Sequence, residues 1–227
     1  MGPREARHQP SAAADASQRD ATYVAIRNGI LDGTYGPNQR LTEADLSAEL
    51  GVSRQTVGIA LMRLQREGMV VTRPNRGASV RSVSVAEALR VLRIREALEG
   101  VAAALAAEQI TDQELADMHA VVADMKPTMD PESLVHYSQQ SARLHELLIK
   151  AARDETLEGM LLSLSYALLR YQALTMLVPG RLDESLREHR GLLDALLSRD
   201  AQTAEHVARQ HVARVRHVLE RNAQLLG

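Results

Sequence analysis

The chain has 227 residues, with 27 Lys plus Arg against 29 Asp plus Glu and a formal net charge of −2, which is length enough for about two domains of ordinary size. It has no cysteine, which excludes disulfides, thiolate metal sites and cysteine nucleophiles. With no Phe, no Trp and five Tyr, it offers few stacking platforms for single-stranded nucleic acid.

Residues 1–17, rich in Ala, Ser, Pro and charge, have the composition of a disordered tail. They lack the apolar core of a signal peptide, and no apolar run of about 18 residues follows. The expectation is a cytoplasmic protein with no membrane partner.

Residues 41–81 carry the densest set of signals. Thr42 stands as an N-cap with Asp45 three residues on, an acidic variant of the capping box, and Leu46 and Leu50 give an apolar face before Gly51 stops the helix. The turn Gly51-Val52-Ser53 leads into a second helix capped by Ser53, with Val57, Ala60, Leu61 and Leu64 as its buried face. Gly58 inside that helix costs about 1 kcal/mol relative to alanine. Past Gly68, residues 69–73 and 78–81 are strand-like runs around Pro74-Asn75-Arg76-Gly77, a four-residue hairpin connection.

Arg54, Arg63, Arg66, Arg73, Arg76 and Arg81 face a single acid, Glu67, between residues 52 and 81. Helix, tight turn, helix and arginine-rich wing in that order predict a winged helix-turn-helix over 18–82 that offers its second helix to the major groove of duplex DNA. A winged helix that binds protein, or a hairpin with solvated arginines, is the alternative.

From Tyr23 to Val80 the sequence resembles the N-terminal domain of the GntR family of bacterial transcription regulators. The shared landmarks are Ile30, Gly33, Pro37, Leu41, the LTEADLSAELGVSR core, Glu67-Gly68 and Asn75-Arg76-Gly77. The resemblance implies DNA contacts from Ser53, Arg54, Gln55 and Thr56, and from Arg76 and Gly77 at the wing tip. Where the family usually shows Val-Arg-Glu, this chain has Val57-Gly58-Ile59, which implies altered operator specificity.

From Ser84 onward helix signals follow one another closely. Ser84 with Glu87 and Thr111 with Glu114 are capping boxes, opening helices to about 108 and 126. Asp130 before Pro131, and Asp154, cap two more that end near 152 and before Pro179-Gly180; the last two span about 182–198 and 201–226. The fold class expected is therefore mainly α: the N-terminal winged helix-turn-helix plus a C-terminal antiparallel all-α helical bundle over 83–227, with room for an interior cavity.

Three of these helices place one histidine on an apolar stripe. The stripes are Leu134, Ser138, Ser141, His145, Leu148 and Ala152; Leu182, Leu186, His189, Leu193 and Leu196; and Ala204, Ala208, His211, Val215 and Val218. A lone histidine on such a face is more often a hydrogen-bonded core residue than a ligand. Three on facing helices of one bundle suit zinc, or nickel or another borderline divalent metal, with a position left open for water or a ligand.

Residues 85–227 resemble the all-helical ligand-binding domain of the FadR subfamily of GntR regulators, the FCD domain. The matching phrases are LRIREALEGVAAALAA at 92–107, SARLHELLIKAARDETL at 141–157, EHRGLLDALLSRDAQTAEH at 188–206 and RQHVARV at 209–215. The resemblance implies metal ligation by His145, His189 and His211, with Ser141 standing where the family carries a fourth ligand, an aspartate. It also implies that Arg95 and Ser141 lie near a small carboxylate effector; a surface ion pair of Arg95 with Glu99 at i+4 is the alternative. A homodimeric, ligand-controlled regulator, most often a repressor, is the function implied. A metal sensor with no organic effector, or a zinc hydrolase using the three histidines, are the competing expectations.

Overall fold

The computed structural model describes residues 12–31, 33–73 and 77–226, in two compact units, 1–82 and 83–227. In the first unit α1 spans Ala12–Leu31, β1 Arg40–Leu41, α2 Glu43–Leu50, α3 Arg54–Arg66, β2 Val70–Arg73 and β3 Gly77–Val80. Thr42 and Ser53 cap α2 and α3 by accepting from the backbone N–H groups of Asp45 and Thr56, each at 3.1 Å. Gly51 ends α2 in the left-handed region, φ 65°, where a side chain would be strained.

The core of this unit joins Ile26, Leu41, Leu46, Val57, Leu64, Met69, Val70 and Val80, all buried. Two elements escape the sequence reading. Helix α1 takes in residues 12–17, assigned above to the tail; Ala12, Ala13 and Ala14 are strong helix formers at its start, and Ile26 and Ile30 bury its far half. The wing is three-stranded, in the order β1-β3-β2, because Arg40 and Leu41 pair with Ser79 and Ala78. A two-residue strand has no alternation to detect.

In the second unit α4 spans Val85–Gln109, α5 Asp112–Ala123, α6 Pro131–Ala151, α7 Glu155–Met176, α8 Arg181–Leu197, α9 Ala201–Arg221 and α10 Ala223–Leu226. Ser84, Thr111, Asp130, Asp154 and Asp200 accept from the N–H three residues on, satisfying donors the first turn leaves free. Only Thr111 and Glu114 complete the reciprocal box among these caps. The final helix expected over 201–226 is interrupted at Asn222.

The main core gathers Ala103, Ala106 and Ala107 of α4 with Met118, Tyr137, Leu144, Leu148, Leu193, Leu196 and Ala204. The alanines let α4 lie close to its neighbours. At Gly100 an added Cβ would sit 2.7 Å from the Arg209 side chain of α9. No helix among the described residues is long and apolar enough to cross a membrane.

Candidate functional site

His145 of α6, His189 of α8 and His211 of α9 meet inside the second unit. Their ring centroids lie 5.9, 5.2 and 4.9 Å apart, and one ligand nitrogen from each falls within 4.8 Å of the others. They converge because each occupies the centre of its helix's buried stripe, between Leu144 and Leu148, between Leu186 and Leu193, and between Ala208 and Val212. The other described histidines stay outside: His119, His206 and His217 are exposed, and His136 pairs with Asp124 at 2.8 Å.

The three rings differ in their partners. The His145 Nδ1 is 3.0 Å from a Glu99 carboxylate oxygen, and the His211 Nδ1 is 2.5 Å from Glu188. His189 is 1 % exposed, stacks on Tyr137, and has no hydrogen-bond partner at either ring nitrogen. Burial holds its pKa well below the ordinary 6.5, and the neighbouring histidines add to the effect. Burial also lowers His211, partly offset by its bond to Glu188.

Two ion pairs brace the cluster. Arg95 donates through Nε to Glu99 at 2.7 Å and through Nη1 to the Ser165 hydroxyl at 2.9 Å. Arg181 donates twice to Glu188, each bond 2.9 Å, and Arg214 adds a third at 3.3 Å. Burial pushes both carboxyls up, but Arg95 with His145, and His211 with Arg181, outweigh it and hold both acids below the usual carboxylate range. Glu99 and Glu188 are therefore ionised and act as acceptors only.

The ion pair of Arg95 with Glu99 is thus present, but buried rather than on the surface. Ser141 is buried one turn before His145 on α6. The carboxylates are what the stripe pattern missed: Glu99 and Glu188 are off the histidine stripes. Their signal was an acid inside the Ala-rich LRIREALEGVAAALAA phrase, four residues from Arg95, and an acid next to His189, two turns from Arg181.

A metal ion fits this donor set. A buried imidazole with neither nitrogen satisfied is costly, and three imidazoles converging from three helices form the donor set of a zinc-type site. The cavity bordered by Arg95, Glu99, His145 and His211 measures about 20 Å³.

In the first unit, Arg54 and Gln55 are exposed in the first turn of α3. Ser53 and Thr56 are tied to one another, hydroxyl to hydroxyl at 2.8 Å, and Thr56 is only 9 % exposed; they shape the helix start. Gly77 opens β3 with φ 71° and is exposed, while Arg76 lies outside the described residues. Not every arginine counted above is available to phosphate. Arg63 stacks 3.7 Å over the Tyr23 ring and pairs with Asp20 and Glu67.

Residues 18–80 match the family described as bacterial regulatory proteins, gntR family, and residues 90–214 match the FCD domain. The chain belongs to the GntR family. It is a DNA-binding transcription regulator carrying an FCD domain, and not an enzyme. It is 26 % identical over 197 residues to the HTH-type transcriptional repressor RspR of Escherichia coli strain K12, covering 85 % of each chain. It is 27 % identical over 211 residues to the "Probable D-xylose utilization operon transcriptional repressor" of Paenarthrobacter nicotinovorans, covering 88 % of this chain and 91 % of that one. The fold is also that of E. coli McbR/YncC, with a TM-score of 0.75 at 20 % identity over 90 % of this chain and 98 % of that chain.

Proposed function

We propose that this GntR regulator is a cytoplasmic, ligand-responsive repressor that binds a pseudo-palindromic operator as a homodimer. Its control would come from a divalent metal, such as zinc or nickel, and a small carboxylate in the helical unit. The observation that carries this reading is His189, buried with two unbonded ring nitrogens and flanked by His145 and His211. Repression is supported by the names of the two relatives above.

On the DNA side, Arg54 and Gln55 project from the first turn of α3, the part of a recognition helix that enters a major groove. Two such units in a twofold dimer would read two half-sites. A second copy is supported by Ile94 and Val101, two turns apart on one face of α4 and 51 % and 42 % exposed.

On the effector side, His145, His189 and His211 would hold the metal. When bound, it supplies a positive charge and an open coordination position suited to an anion. Ser141 offers a neutral hydroxyl where the family resemblance expects an aspartate, so the chain's own donors bring no negative charge to that position. Arg95 stands at the same cavity, its guanidinium already shared between Glu99 and Ser165. The buried surroundings lower the local dielectric and strengthen whatever electrostatic contact is made there.

A second reading, in which metal alone is the signal, is favoured by the cavity. About 20 Å³ holds about one water molecule, whereas organic ligands occupy pockets of roughly 300 Å³ or more. The two readings part in one experiment. Fluorescence anisotropy would follow chelated protein on duplex DNA from upstream of its own gene and on random duplex, then with zinc, then with zinc and a series of mono- and dicarboxylates. A salt-dependent preference for the upstream duplex that zinc alters and an acid alters further supports the first reading. A complete response to zinc alone supports the second. No preference under any condition overturns both.

A further inference from the structure

We infer that Glu99 and Glu188 are positioning residues: from outside the coordination sphere they fix His145 and His211 in the Nδ1–H tautomer, so that both rings present Nε2 to a metal shared with His189. The inference rests on reading the histidine cluster as a metal site, and adds how two of its three ligands are oriented.

Four observations point the same way. The carboxylates come from helices other than those of the histidines they touch: Glu99 of α4 meets His145 of α6, and Glu188 of α8 meets His211 of α9. Both contacts fall on the same ring atom, Nδ1, at 3.0 and 2.5 Å. A carboxylate held by an arginine accepts only, so a hydrogen lies on Nδ1, and in the neutral ring that a metal would bind the Nε2 lone pair is then the free one. Both carboxylates are themselves immobilised, with side chains 4 % and 2 % exposed. Arg95 grips Glu99 through Nε, and Arg181 grips Glu188 through two parallel bonds.

A purely structural role accounts poorly for this arrangement. Arg95 already balances the charge of Glu99, and Arg181 with Arg214 that of Glu188, without a histidine. Yet both pairs direct a remaining carboxylate interaction to the same atom type within one three-histidine cluster. Carboxylates that orient ligating histidines in this way also raise ligand basicity. Here they would supply at second hand the negative charge that Ser141 does not supply directly. His189, with no such partner, takes its tautomer from whatever binds it.

The test uses the full chain. Long-range proton–nitrogen NMR of histidine-labelled protein, after chelation and after zinc addition, should show Nδ1–H at His145 and His211 in both states. Competition with a chromophoric chelator should show zinc binding about ten- to a hundredfold weaker in Glu99→Gln and Glu188→Gln, the range typical for loss of such partners. Far-UV circular dichroism would check that each variant folds; should Glu188→Gln not fold for want of an acid beside Arg181, the wild-type tautomers and Glu99→Gln still decide the matter. Nε2–H at either ring of the wild type, or unchanged zinc affinity in the folded variants alongside normal uptake by the wild type, overturns the inference alone. A wild-type chain that takes up no zinc sinks the metal reading, and this positioning role with it.

Discussion

Replacing His189 by leucine should make the metal-free protein more stable and unresponsive to metal. The ring is 1 % exposed and neither nitrogen has a partner. A buried polar group left unsatisfied costs roughly 1–3 kcal/mol. Leucine, of similar volume, removes both orphan atoms while still filling the slot between Tyr137 and the other two rings. Lost stacking on Tyr137, 6.5 Å between centroids, subtracts about 0.5 kcal/mol. A net gain of about 1.5 kcal/mol corresponds to roughly 3–6 °C in Tm for a chain of this size. Zinc at a hundred times its Kd should stabilise the wild type by about 2.7 kcal/mol, and should leave His189→Leu where it was. Differential scanning calorimetry of chelated and zinc-loaded protein reads all four values. A chelated variant that melts below the chelated wild type, or one still raised by zinc, would refute the argument that His189 is kept against stability as a ligand.

Acid should weaken the metal-free fold. His189 and His211 have folded pKa values lowered from 6.5 by burial, so above that value both states hold them neutral. Below it the unfolded chain takes up protons that the folded chain does not, and stability falls with pH; urea midpoints between about pH 5 and pH 8 should show it. Ser141→Asp should tighten zinc by about tenfold, roughly 1.4 kcal/mol, by restoring an anionic donor, and chelator competition would register the change. Gly58→Arg should strengthen duplex binding and steepen its salt dependence by about one charge, while improving helix propensity by up to about 1 kcal/mol. The added Cβ would lie 2.9 Å from the Glu43 carboxylate, the mobile end of a side chain that can move aside. Anisotropy over a salt series checks this, and a uniform gain across sequences would mark a phosphate contact rather than a base contact.

Much of the fold was legible because its signals are local. The caps at Thr42, Ser53, Ser84, Thr111, Asp130 and Asp154 each act on a backbone N–H three residues away, and the helix stripes repeat within two turns. The histidines could be placed on buried faces for the same reason: a position on an amphipathic helix follows from its own neighbours. Helix α1 and strand β1 were less legible. The first has a weak apolar stripe, and the second exists only because β3 offers an edge.

The sequence by itself determined α2, α3 and the helices that follow Ser84, that three of these carry one inward histidine each, and that an arginine-rich wing follows a helix-turn-helix. Tertiary structure alone decided that those histidines meet, that His189 is left unbonded, and that Glu99 and Glu188 stand behind the other two. It also withdrew Arg63 from the count of free charges and drew Arg95 into a buried pair. The physical reason is range. Caps and stripes are fixed by hydrogen bonds and packing within a few residues. The bond from His145 to Glu99 spans 46 positions and that from His211 to Glu188 spans 23, and only helix packing brings such groups within reach of one another.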